Sequence, residues 1–189
     1  QESYTPINKT GTVSKNYPPE RFVFELNLEN INKLENSKKE PLMELIKIFA
    51  SPIFFKTVSN EFKKIINNRI NNFTNYEINL LGKEKFEFTI QASLVKDFKK
   101  YQLGVHTDTT KKFLSFLFYI PKDEKLINLG TALYKPKREI DNIGEKGNYH
   151  LSPDSTDQNF ELIKKIPFLP NSLLVFPRTN YSFHGVEKF

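Results

Sequence analysis

The apolar residues of this chain change their spacing part-way along it, and that change restricts it to folds in which a short helical segment precedes a sheet. Over residues 41–49 the apolar positions are Leu42, Leu45, Ile46 and Phe49, three or four apart as on one face of a helix. Ser51-Pro52 opens a second helix, with serine as N-cap and proline at the first helical position, where no N–H is needed. Its stripe of Phe54, Phe55, Val58, Phe62, Ile65 and Ile66 reads as core rather than as a cofactor box. Beyond Asn75 the period falls to two: segments 86–95, 113–120, 130–134 and 172–176 alternate as half-buried strands do. Turn signals at Pro121, Pro136, Pro153 and Pro170 separate them. Residues 1–20 read as a polar arm, 21–28 as a further strand and 30–39 as a charged connection. The expectation is an α+β domain whose helices cover the outside of a sandwich or barrel.

At 189 residues the chain can bury one core without disulfides or metal staples, so a single domain over 1–189 is expected. The absence of cysteine excludes disulfides, zinc–thiolate sites, iron–sulfur clusters and a cysteine nucleophile. No stretch approaches the roughly 20 apolar residues of a membrane span, and the first residues carry no signal-peptide pattern. The expectation is a cytoplasmic protein without membrane contact. A net charge of +6 raises the possibility of nucleic-acid binding, but the excess is lysine, with four arginines, and it is spread along the chain. Residues 1–100 carry 16 basic and 12 acidic side chains, and 101–189 carry 12 and 10. A solvated lysine-rich surface accounts for this, and nucleic acid is not the expected partner. The polar segment 137–157, with Gly144, Gly147 and Pro153, reads as a flexible insert or a loop at the mouth of a site.

Three histidines occur, and two stand where chemistry is plausible. In an extended chain residues i and i+2 share a face, so His106 and Asp108 present a nitrogen and a carboxylate oxygen to one point. A third ligand is available 78 positions later in His184, just past the apolar run 173–176. Two histidines and one carboxylate leave open positions on an octahedral ion, the arrangement of non-haem Fe(II) oxygenases. Zinc accepts the same donors. His150 reads as a surface residue, Asp97 as a turn residue or a substrate contact, and Gly130 and Gly185 as positions where strands approach closely or bulge.

The flanks of these residues carry a resemblance. Tyr101-Gln-Leu-Gly-Val-His106-Thr-Asp108, the strand 113–121, Leu129-Gly-Thr-Ala-Leu-Tyr134, Asn171-Ser-Leu-Leu-Val-Phe-Pro177 and Ser182-Phe-His184-Gly-Val186 follow in order. Together they resemble the 2-oxoglutarate/Fe(II)-dependent oxygenase superfamily, in particular its prolyl-hydroxylase-like bacterial branch. The resemblance implies a double-stranded β-helix (jelly-roll) core over about 86–189, lacking its last strand, with a helical preface at about 41–72 on the outside. It implies His106, Asp108 and His184 as iron ligands, and 2-oxoglutarate and O2 as cosubstrates. Hydroxylation of a small-molecule or peptidyl substrate would release succinate and CO2. Asp108 argues against a halogenating variant, which would lack that carboxylate.

Tyr119 matches a tyrosine that hydrogen-bonds the distal carboxylate of the cosubstrate in relatives, or else is an ordinary strand aromatic. Leu117 shares its face and would line the same pocket. The basic residue that pairs this carboxylate in relatives lies about one strand past the distal histidine and is expected beyond Phe189. Arg178 and, with less support, Lys111 are the substitutes within the chain. A non-catalytic, cupin-like jelly-roll metal binder is the alternative reading.

Overall fold

The computed structural model describes residues 5–6, 21–82, 88–98, 101–140 and 149–187. Most of the polar arm, the start of the strand expected over 86–95 and residues 141–148 of the polar insert lie outside these. Contacts gather the chain into two compact units, residues 1–64 with 87–101, and residues 65–86 with 102–189. The architecture is mixed α and β, its sheets are antiparallel, and they do not close into a barrel among the described residues. Among the same residues no helix is long and apolar enough to cross a membrane.

In the first unit, β1 (Thr5–Pro6) pairs with β2 (Arg21–Glu25), which pairs along its whole length with β3 (Ser93–Asp97). β2 is shorter than the alternation suggests, because Asn27 caps a helix, its side chain accepting from the Asn30 N–H at 2.9 Å. That helix, α1 (Leu28–Asn32), buries Ile31. The charged connection expected over 30–39 is instead α1 and the start of α2 (Asn36–Phe49). Lys38, Lys39 and Glu40 are good helix formers, and they extend α2 back across Pro41 at the loss of one backbone bond. Ser51 caps α3 (Pro52–Glu61) as its sequence predicts, accepting from the Phe54 N–H at 3.1 Å. The second predicted helix is broken at Phe62, after which α4 (Lys63–Asn71) begins.

At the end of β3, Asp97 is neither a turn residue nor free for substrate: Arg21 donates to both its oxygens, at 2.5 and 2.7 Å. The same guanidinium lies 4.1 Å over the ring of buried Tyr101. Burial pushes the Tyr101 phenol up to about 12 from 10.0, against the pull of Arg21. A raised acid pKa stabilises the fold below the unfolded value and loses that contribution as pH rises through the folded one. Stability is therefore expected to fall between about pH 10 and 12 by on the order of 2 kcal/mol. Urea melts should show that alkaline loss diminished in Tyr101→Phe.

In the second unit, α5 (Asn75–Leu81) is a helix that the reading of strands beyond Asn75 missed. Its signal was present as Thr74-Asn-Tyr-Glu77, a capping box in which Thr74 Oγ1 accepts from the Glu77 N–H and Glu77 Oε2 from the Thr74 N–H, at 3.2 and 3.1 Å. Among the described residues six strands follow: β4 (Leu103–His106), β5 (Leu114–Tyr119), β6 (Ala132–Pro136), β7 (Phe160–Lys165), β8 (Ser172–Pro177) and β9 (His184–Val186). A four-residue helix, α6 (Thr156–Asn159), precedes β7. Their pairing is nested. β6 pairs with β7, β5 with β8 and β4 with β9, all antiparallel, as in one long hairpin folded over its β6–β7 tip. β9 also pairs with β6, giving a four-stranded sheet in the order β4-β9-β6-β7 beside the two-stranded β5-β8. The core gathers Val105, Ala132, Tyr134, Phe160 and Phe183, with Tyr149 and Leu151 against it.

Gly130 and Gly185 stand at close approaches, as expected. A Cβ at Gly130 would meet the Ile166 carbonyl carbon at 2.9 Å and the Phe168 nitrogen at 3.1 Å, both backbone atoms that cannot rotate away. Gly130→Ala should therefore destabilise the fold by about 1–3 kcal/mol, as overpacking does, read as a lower urea midpoint.

Candidate metal centre

Alternation along β4 decides where His106 points. Val105 enters the apolar core, so His106 projects from the opposite face. The β4–β9 register slips between Leu103 and His106, and this bulge sets His106 directly opposite His184. Gly185 permits it: a Cβ there would lie 2.7 Å from the Leu103 carbonyl oxygen. The two imidazole centroids are 4.2 Å apart. Asp108, two residues past His106 and beyond the end of β4, reaches the same point. His106, Asp108 and His184 each offer a ligand atom within 4.8 Å of the others.

Each imidazole is oriented by the backbone carbonyl two residues before it. Nδ1 of His106 lies 3.0 Å from the Gly104 carbonyl, and Nδ1 of His184 lies 3.0 Å from the Ser182 carbonyl. With Nδ1–H donating to a carbonyl, the lone pair is on Nε2, the tautomer a metal ligand needs. Burial, aided by neighbouring His184, pushes His106 down to about 3. Burial also lowers His184, although Asp108 pulls it the other way. Both shifts favour the neutral form of the ring. Burial pushes the Asp108 carboxyl up, but Lys112, His184 and Ser115 outweigh that and hold it below its ordinary value. Lys112 Nζ lies 2.7 Å from Oδ1, and the Ser115 hydroxyl donates to Oδ2. Two neutral imidazoles and an ionised carboxylate, facing one point and oriented from behind, fit a divalent transition metal.

Of the other predicted residues, Arg178 touches this cluster, through the Asp108 carbonyl. Ser115, Leu117 and Tyr119 alternate onto one face of β5, the face that reaches Asp108 through Ser115. The Tyr119 hydroxyl donates to Thr131 Oγ1 at 2.7 Å and lies 3.3 Å from the Thr131 N–H. Arg178 is fully buried: its Nε donates to the Asp108 carbonyl at 3.1 Å, and its Nη1 reaches Asn180 Oδ1 at 2.7 Å and Glu77 Oε1 at 3.3 Å. Its guanidinium is thus engaged behind Asp108. Lys111 is exposed, and its neighbour Lys112 is the lysine at the cluster.

Sequence reasoning missed Lys112, Ser115, Glu77 and the position of His150. His150 is exposed, as expected, yet it bridges to His106 across the edge of β4, with ring centroids 5.5 Å apart. Thr107 N–H donates to the Tyr149 carbonyl and Leu151 N–H to the Val105 carbonyl, each at 2.9 Å, so the end of the polar insert extends the sheet beside the cluster. Gly104 admits it, since a Cβ there would lie 2.8 Å from the backbone at Ser152 and Pro153.

Comparison of the chain with protein-family models, with curated proteins and with solved structures finds no match.

Proposed function

We propose that this chain is a non-haem Fe(II), 2-oxoglutarate-dependent dioxygenase that hydroxylates a small-molecule or peptidyl substrate. The observation that carries the reading is the convergence of His106, Asp108 and His184 within 4.8 Å, with both Nδ1 atoms directed to backbone carbonyls. The nested pairing of β4 to β9 supports it, because a long hairpin rolled over its tip is how a jelly roll is built. When bound, Fe(II) would supply the activation of O2, coupling conversion of 2-oxoglutarate to succinate and CO2 with substrate hydroxylation.

The protein's part is positioning. His106 and His184 would give Nε2 and Asp108 an oxygen, while Ser115 retains the other oxygen and fixes the carboxylate's rotation. Lys112, half-exposed on a flexible stem, would leave Oδ1 to the ion. Leu117 would line the cosubstrate pocket and exclude water. Tyr119 would turn its O–H from Thr131 to the distal carboxylate of 2-oxoglutarate. Arg178 is assigned behind Asp108 rather than to that carboxylate.

The alternative, a jelly-roll metal binder without turnover, is favoured by one observation: the Tyr119 hydroxyl and the Arg178 guanidinium both already have partners within the protein. An anaerobic titration separates the two. Fe(II) followed by 2-oxoglutarate should produce the weak visible charge-transfer band of a chelated keto acid, which bleaches when oxygen is admitted. Iron binding without that band would leave the metal binder as the better account.

A further inference from the structure

Residues 109–113 join the ligand Asp108 to β5, and such a loop would ordinarily be held at the surface by water. Here it is held from inside by two arginines. On α4, Arg69 donates through Nη1 to the Lys112 carbonyl and through Nη2 to the Thr110 carbonyl. Arg178 donates through Nε to the Asp108 carbonyl at 3.1 Å. Three alternate carbonyls of one short segment, at residues 108, 110 and 112, therefore each accept from a buried guanidinium. Glu77 Oε1 lies between the two cations, 3.4 Å from Arg69 Nη2 and 3.3 Å from Arg178 Nη1. Its other oxygen is fixed by the α5 cap.

This arrangement is expensive in solvation. Burial is the main reason that Arg69 falls to about 10, and the charge of Arg178 adds to it. The Nε of Arg69 is buried without a hydrogen-bond partner among the described residues. The side chain thus forgoes one donor while its fork meets two carbonyls and its Cζ lies 4.3 Å from the centroid of the Phe113 ring. A planar fork holds two acceptors in a fixed geometry, whereas a lysine ammonium is a compact point charge whose three donors rotate on a flexible stem.

Resting on the metal-centre reading above, we infer that Arg69, Glu77 and Arg178 form a clamp that positions the metal ligand Asp108, so that its carboxylate faces His106 and His184 before an ion arrives. The clamp acts through the backbone of 108–112, and its residues are positioning residues that touch neither metal nor substrate. Ligand-orienting partners of this kind alter metal affinity by about 10–100-fold when removed.

The sign of the effect distinguishes positioning from charge. Arg69→Met removes a positive charge near the site, and by Coulomb's law alone it would tighten cation binding. Loss of the clamp weakens it. The experiment is titration of the whole chain with Co(II) as a spectroscopic stand-in for Fe(II), following visible absorption, with near-UV circular dichroism to verify folding. Arg69→Met should bind Co(II) about 10-fold or more weakly, with an altered band shape as Asp108 loses its fixed approach. Arg69→Lys, which keeps the charge but not the fork, should recover only part of the affinity.

An unchanged or tighter Kd in folded Arg69→Met, with binding still lost in His184→Ala, overturns the clamp and leaves the metal centre standing. Should Arg69→Met not fold, the lysine variant decides, since wild-type affinity there overturns the clamp equally. If the wild-type chain binds no Co(II), or His184→Ala binds it as well as wild type, the metal centre fails and the clamp with it.

Discussion

His184→Ala is expected to lose more than about 100-fold in affinity for Fe(II) or Co(II), beyond the range for an orienting partner, because it removes one of three donor atoms outright. The loss should be visible without any assay of turnover. A ligand that binds only the folded state stabilises it by about 2.7 kcal/mol at 100 times its Kd. Wild-type protein should therefore melt at a higher temperature when Co(II) is added, and His184→Ala should not. Asp108→Asn should behave like His184→Ala towards metal while retaining an acceptor for Ser115. It thus separates the need for charge from the need for a hydrogen-bonded side chain. Retention of the metal-dependent stabilisation in both variants would remove His106, Asp108 and His184 as a centre, and with them the oxygenase proposal.

The clustering of His106, Asp108 and His184 was legible in the sequence because its geometry is mostly local. The i, i+2 relation of His106 and Asp108 needs only an extended backbone, and the apolar run 173–176 marks a strand, Ser172–Pro177, that precedes the one opening at His184. What places His184 opposite His106 is a register slip across β4 and β9, to which Gly185 was the only pointer. The strands at 114–119, 132–136 and 172–177 fall where the sequence places them, and in the first two the alternation leaves one face the more buried. The helices were read less well. Residues 30–39 looked like a connection because their charges conceal good helix propensity, and α5 was overlooked although Thr74 and Glu77 spell its cap.

The surroundings of the site were illegible for a different reason. Glu77 and Arg178 are 101 residues apart, and nothing local marks either as buried. Charged residues are rarely buried unless paired, so each looks like surface until its partner is known. His150 was correctly read as exposed, but its pairing with His106 depends on a sheet edge that no spacing rule reveals. Arg178 shows the same limit from the other side: chemistry suggested a carboxylate to pair, and the carboxylate it meets is Glu77.

Glu77→Gln should be the most destabilising conservative substitution in this unit, at about 3–5 kcal/mol, the cost of removing one partner from a buried ion pair. Glutamine matches the shape of glutamate and keeps an oxygen for the Thr74 N–H, so the helix cap is largely preserved. What it removes is the negative charge between two guanidiniums whose side chains are 8% and 2% exposed. Thr74→Ala supplies the comparison, because it deletes the reciprocal half of the capping box and should cost only about 1 kcal/mol. Urea denaturation with unchanged m-values would rank the two, and near-equal losses would reduce Glu77 to a capping residue. Replacing the whole triad, Arg69→Met with Glu77→Leu and Arg178→Met, removes its three buried charges together with their solvation penalty and should restore much of the lost stability. It cannot restore donors to the carbonyls at 108, 110 and 112. A stable triple variant with weakened Co(II) binding would therefore show that these three side chains are retained for the placement of Asp108 rather than for the stability of the fold.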